Sequence, residues 1–231
     1  MRHGESAGNV AREQAEVQGL ARIALESRDV DVPLSDRGHG QSRALGRRLA
    51  ELKPDRVWVS PYLRARQTAC DALTAAGLDV PLVIDERLRE REFGVLDGLT
   101  RSGITELWPD EAERRRAIGK FYHRPPGGES WTDALLRVRS VIGDLRDDCV
   151  DERVVVVAHQ VVVLLFRYVL EAMTEEEVLD IDRLGDVANC AVTTYLKTDG
   201  ALRLESYNDV SHLEAAAEPV TAEPDVAHAP R

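Results

Sequence analysis

Four stretches of the chain place ionisable or anion-binding side chains where strands are read to end. They are Arg2-His3-Gly4 at the start, "SPYLRARQTA" (Ser60 to Ala69), "RLREREFG" (Arg87 to Gly94) and "VVVVAHQ", which puts His159 directly after an apolar run. Ligands of parallel α/β sheets bind at the carboxyl ends of the strands, so the four stretches are expected to converge on one pocket. An imidazole is a competent nucleophile near neutral pH, and attack by His3 on a phosphoryl group would give a phosphohistidine that water later cleaves. The charge on the equatorial oxygens suits the planar forks of Arg2 and Arg64 better than a lysine, with His159 as a further donor. A leaving alkoxide needs a proton, which a carboxylic acid supplies only when its pKa is raised, and Glu90 is the candidate. Glu86 and Glu92 share its charged stretch.

These residues need elements to hold them. Apolar positions at helical spacing run from Gly38 to Leu52, and "RVWVS" (Arg56 to Ser60) reads as a short strand. Leu63 to Ala76 reads as a helix ended by Gly77, and Leu82 to Asp85 as a second strand. "HRPPGGES" (His123 to Ser130) is a loop, with Ser130 and Asp133 opening a helix through Leu145 in the manner of a capping box. Val154 to Val157 lacks alternation and predicts a strand buried on both faces. A helix from Val161 to Ala172 follows, then "CAVTTYL" and "LRLESYN" as a hairpin around Asp199-Gly200. Strands alternating with helices define an α/β domain with a mostly parallel central sheet over residues 1–213. Residues 214–231, rich in Pro, Ala and Glu, read as a disordered acidic tail.

The 231 residues suit one domain, and a formal charge of -11 argues against nucleic acid or anionic lipid as a partner. Cys70, Cys149 and Cys190 are odd in number and widely spaced, which predicts neither a disulfide framework nor a zinc site and points to the cytoplasm. No signal peptide or membrane span is readable, since His159, Gln160 and Arg167 break the longest apolar run.

"RHGES" with Asn9 six positions after the histidine, "LSDRGHGQ" (Leu34 to Gln41), "SPYLRARQTA", "LREREFG", "PPGGES" and "VVAHQ" occur in that order over Arg2 to Gln160. Together they resemble the histidine phosphatase superfamily, the phosphoglycerate mutase-like proteins. The resemblance implies a three-layer α/β/α sandwich and a phosphatase using His3 as the phosphorylated histidine. It assigns Arg2, Arg64 and His159 to the phosphate pocket, Asn9 to the phosphate region, and Glu90 to protonating the leaving group and then activating water. It implies no metal and no cofactor, a phosphorylated small molecule as the partner, and leaves a homodimer open. Gln160 stands where the family usually has a small residue, so it is expected at the floor of the substrate pocket.

Two further expectations follow from the resemblance. Mutases of the family carry a long insertion between the acid and the Glu-Ser motif; the shorter span between Glu90 and Glu129 favours hydrolysis, of a sugar phosphate if the likeness of "KFYHRPPGGESW" to fructose-2,6-bisphosphatases extends to substrate. A phosphomutase and a non-catalytic phosphate-binding protein are the alternatives. The family's first histidine closes an apolar central strand, yet only Met1 precedes Arg2. That first central strand is therefore expected to be truncated here, through a start placed too late or a fragmentary chain.

Overall fold

Four consecutive valines, Val154–Val157, have two faces to bury, and the fold is arranged to cover both. In the computed structural model, which describes residues 1–222, the order begins with α1 (Ala7–Val17), α2 (Asp36–Leu52), β1 (Arg56–Val59), α3 (Leu63–Ala76) and β2 (Leu82–Ile84). It continues with α4 (Arg101–Leu107), α5 (Pro109–Ile118), α6 (Trp131–Asp148), β3 (Val154–Val157), α7 (Gln160–Leu170) and α8 (Glu175–Leu184). Strands β4 (Val192–Thr198) and β5 (Ala201–Asp209) and the short α9 (Ser211–Ala215) complete it. Strands β2, β1 and β3 form a parallel sheet in that order, with Val57 opposite both Leu82 and Val155.

Successive side chains of β3 point to opposite faces, so each layer receives alternate valines. Val155 and Val157 pack with Leu45 and Leu49 of α2 and Ala65, Ala69 and Ala72 of α3. Val154 and Val156 pack with the cluster of Trp131 and Val138 of α6 and Leu164 and Leu165 of α7. The result is a three-layer α/β/α sandwich, as the family resemblance implies.

The first three residues lie beside β3. The Met1 amine donates to Val156 O at 2.8 Å, Ala158 N–H to Met1 O at 2.9 Å, and His3 N–H to Ala158 O at 3.0 Å. On the other side Arg2 N–H donates to Ala191 O and Cys190 N–H to His3 O. Met1 to His3 thus fill the last rung of a central strand, Arg2 bridging to Ala158 in parallel sense, and His3 stands where that rung ends. Burial pushes the Met1 amine down to about 5.

Strands β4 and β5 form a separate antiparallel hairpin, and positive φ at Asp199 and Gly200 is the geometry an Asp-Gly turn favours. The tail expected from residue 214 departs from its reading through Thr221. Helix α9 reaches Ala215, and the segment beyond it hydrogen-bonds to Gln41 and Asn189. These polar bonds hold it without large apolar residues, which is why composition did not reveal it. Residues 223–231 lie outside the described part. Among the described residues no helix is long and apolar enough to cross a membrane.

The start of α2 grips the segment after His3. Ser35 caps the helix by accepting from Gly38 N–H, and its hydroxyl donates to the Glu5 carboxylate at 2.6 Å. Arg37 donates to the other Glu5 oxygen at 3.0 Å, and the Glu5 N–H donates to Gln41 Oε1 at 2.9 Å. The contact is close enough that a Cβ on Gly38 would sit 1.9 Å from Glu5 O, and one on Gly4 would sit 2.7 Å from Gly38 O. "LSDRGHGQ" is therefore a dock for residues 4 and 5. Gly38→Ala should destabilise by on the order of 3 kcal/mol through backbone displacement. In thermal melts this lowers Tm by roughly 6–12 °C for a domain of this size; an unchanged Tm would show that the dock is loose.

Candidate active site

The structure brings Arg2, His3, Arg64 and His159 together at the ends of the central strands, all nearly inaccessible at 2%, 3%, 5% and 0% exposure. The His3 and His159 rings meet edge to face with centroids 5.0 Å apart. Nδ1 of His3 lies 2.7 Å from Gly4 O, a carbonyl that can only accept, so the ring proton belongs on Nδ1. The lone pair of His3 Nε2 is left to receive the Arg64 Nε–H at 3.2 Å.

Each neighbour is held from behind. Thr68 Oγ1 accepts from Gly4 N–H at 3.0 Å and donates back to Arg64 O at 2.7 Å, tying the glycine after His3 to the first turn of α3. Arg2 donates to Val187 O and to Gln160 Oε1, and Gln160 Nε2 donates to Asp186 at 2.6 Å. Gln160 thus reaches the floor through Arg2. Ser60 Oγ accepts from Tyr62 N–H and lies 2.8 Å from His159 Nε2, the one acceptor for its proton among the hydrogen bonds described. That pattern puts the His159 ring proton on Nδ1, which is buried and has no partner among the described residues.

Burial, then the Arg64 and Arg2 guanidiniums, holds His3 well below the usual histidine range. Burial, then Arg64 and His3, does the same to His159. Both rings are neutral at pH 7, and cationic charge is concentrated in the two arginines.

Asn9 is buried, but its carboxamide oxygen caps α1, accepting from Ser6 N–H at 2.8 Å while Ser6 Oγ accepts from Asn9 N–H. Glu90 sits in the loop after β2, half-buried, with Oε1 accepting from Arg91 N–H at 2.8 Å. Arg137 of α6 clamps that loop by donating to the carbonyls of Arg87, Arg89 and Glu90, and its own fork is held by Glu129. Glu129 also bonds Arg89 and Glu92 N–H, so the Glu of "GGES" orients the loop that carries Glu90.

Sequence reading missed Asp29. Its carboxylate sits on the Arg64 fork at 2.9 and 3.2 Å, and its carbonyl accepts from the same guanidinium at 2.7 Å. A cavity of about 170 Å³ opens there, lined by Arg12, Ile23, Leu25, Asp29, Arg64 and Asp97 among others. Burial and then the Asp29 charge push Asp97 up. Nothing in "SRDVDVP" marks Asp29 beyond ordinary loop acidity, whereas Ser60 and Thr68 lie inside a recognisable motif. Asp97 and Gly98, in the loop before α4, also line this cavity. Among the described residues no group of three His, Cys, Asp or Glu side chains is arranged to hold a metal ion.

A buried pair of neutral imidazoles between two arginines thus stands at the carboxyl end of a parallel sheet in an α/β protein. The profile of the histidine phosphatase superfamily (branch 1) matches residues 1–210, and the chain belongs to that superfamily. It is 32% identical over 186 residues to a 2,3-bisphosphoglycerate-dependent phosphoglycerate mutase of Methylobacterium radiotolerans, covering 78% of this chain and 82% of that enzyme. It is 33% identical over 178 residues to human 6-phosphofructo-2-kinase/fructose-2,6-bisphosphatase 3, covering 76% of this chain but 30% of that larger protein. The structure of a mycobacterial glucosyl-3-phosphoglycerate phosphatase superposes with a TM-score of 0.70 at 26% identity, over 90% of this chain and 96% of that one.

The depressed pKa values have a stability consequence. Below an unfolded histidine pKa of about 6.5 the unfolded chain binds protons that folded His3 refuses, so stability rises with pH through that window and is lost as pH falls. In melts from neutral to acid pH, wild type should lose Tm faster than His3→Gln below about pH 6.5; parallel curves would mean that folded His3 titrates normally.

Proposed function

We propose that this protein is a metal-independent phosphatase that hydrolyses a phosphomonoester through a phosphohistidine on His3. The observation that carries this reading is the paired orientation of the two rings. His3 offers an Nε2 lone pair beside Arg64, and His159, its ring centroid 5.0 Å from that of His3, holds a buried Nδ1–H with no acceptor among the described residues. A phosphoryl group placed there finds a nucleophile and donors for its oxygens.

In the first half, His3 Nε2 forms the N–P bond as the P–O bond to the alcohol breaks, and the Glu90 carboxylic acid protonates the departing oxygen. In the second, Glu90 carboxylate takes a proton from water as it attacks phosphorus, and the N–P electron pair returns to His3. Arg2, Arg64 and the His159 Nδ1–H hold the three equatorial oxygens, which balances their charge without a metal. Asn9 holds the segment after His3 through its cap with Ser6, and Gln160 acts by holding Arg2. Three free thiols agree with a reducing, cytoplasmic setting.

Asp29 favours hydrolysis of the phosphomonoester of an uncharged alcohol over a mutase reaction. A phosphoryl oxygen that engages the Arg64 fork displaces the Asp29 carboxylate, after which Asp29 and Asp97 face the alcohol half beside Arg12. Two carboxylates accept hydroxyl hydrogen bonds well and repel a second phosphate or carboxylate, so the reading favours a polyhydroxylated, sugar-like alcohol.

Hydrolysis of p-nitrophenyl phosphate should proceed undiminished in EDTA and vanish in His3→Ala, and acid-quenched wild type should carry phosphate on the His3 peptide by mass spectrometry. Loss of activity in EDTA, or a fully active His3→Ala, would end this reading. Asp29→Asn should lower the inhibition constant of inorganic phosphate by roughly threefold, the ~0.6 kcal/mol of a half-exposed ion pair. Sugar monophosphates should exceed 3-phosphoglycerate in kcat/KM; the reverse order would restore the mutase.

A further inference from the structure

The segment after α9 reaches the reactive histidine from behind, and does so beyond the residues that the family profile covers. The chain turns back at Ala217, whose φ of 55° is left-handed. Ala217 N–H donates to Glu214 O and Glu218 N–H to Leu213 O, closing α9 with crossed bonds. Pro219 and Thr221 then lie against two fully buried amides. Gln41 Nε2 donates to Pro219 O at 2.8 Å and to Thr221 Oγ1 at 2.9 Å. Thr221 Oγ1 donates to Asn189 Oδ1 at 3.0 Å, and Asn189 N–H donates to Thr221 O at 2.8 Å.

The far ends of the same two amides hold the active segment. Asn189 Nδ2 donates to His3 O at 3.1 Å, and Gln41 Oε1 accepts from Glu5 N–H at 2.9 Å. A carboxamide has one acceptor end and one donor end, so fixing one end fixes the other. Pro219 O and Glu5 N–H fix Gln41 with its NH2 end toward Thr221. The Thr221 oxygen accepts from that NH2, which leaves the hydroxyl proton for the Asn189 oxygen and turns the Asn189 NH2 to His3 O. Without the hydroxyl, Asn189 loses the donor that holds its oxygen away from His3 O.

We propose that residues 218–221 form a strap that positions His3, with Pro219 O holding Gln41 and the Thr221 hydroxyl relaying that orientation to Asn189. Thr221, Gln41 and Asn189 are positioning residues: none touches the reacting atoms. The kinetic consequence rests on the phosphatase reading, while the geometric one does not. Displacing a nucleophile lowers the rate of attack while leaving the arginine fork able to bind phosphate, so kcat should fall and KM should hold.

The test uses the full chain with Thr221→Val, which keeps the shape and removes the hydroxyl, beside Thr221→Ser, which restores it. Val220→Ser, at the exposed neighbouring position, serves as the control. Each is assayed with p-nitrophenyl phosphate well below its Tm, and the His3 ring is observed by nitrogen-15 NMR of histidine-labelled protein. Thr221→Val should lose about tenfold or more in kcat with KM within twofold, and its His3 resonances should shift or broaden, with Thr221→Ser and Val220→Ser near wild type. Wild-type kcat in folded Thr221→Val, or His3 resonances unmoved by the substitution, would overturn the strap. If wild type hydrolyses no phosphomonoester, the phosphatase reading fails and the NMR comparison alone decides the strap.

Discussion

The hydrogen bond from Arg64 Nε–H to the lone pair of His3 Nε2 is the interaction on which the rest of the site depends. It forms only if His3 is neutral, if its proton sits on Nδ1, and if a guanidinium is held within reach at 5% exposure. Gly4 O fixes the proton, burial and two arginines keep the ring neutral, and Asp29 holds the far side of the Arg64 fork. Burying cations costs heavily unless they are paired, and this cluster is paired by Asp29 and by the Gln160–Asp186 relay behind Arg2.

That requirement explains motifs that do no chemistry themselves. Glu5, Ser35, Arg37, Gly38 and Gln41 form one docking surface between the first loop and α2. Glu129 and Arg137 do the same for the loop bearing Glu90, and Thr68 ties Gly4 to α3. Preorganised sites need such support because a nucleophile on a loose loop samples many unproductive positions. The C-terminal strap extends the same logic to the carbonyl of His3.

Several elements were legible because their signals are local. The bounds of α3 and β3 follow from Pro61, Gly77 and the valine run, and the capping pair Ser130–Asp133 opens α6 as read. Other elements carried no such signal. Helix α1 buries little besides Asn9 and Ala15, so it lacks a readable apolar stripe and depends on the Ser6–Asn9 cap. Helix α5 is charged on every side.

The sequence alone determined the residue types of the site, their order at strand ends, the layered α/β class and the superfamily, because periodicity and short motifs are written along one dimension. The tertiary structure decided which oxygen each arginine meets, that Asp29 occupies the Arg64 fork, that Glu5 and Glu129 are scaffolding, and that residues 218–221 belong to the domain. Those outcomes depend on pairs 35, 40 or 180 positions apart in the chain, such as Arg64 with Asp29, Arg89 with Glu129 and Gln41 with Thr221. Such pairings are set by packing around the sheet, and no local propensity encodes them.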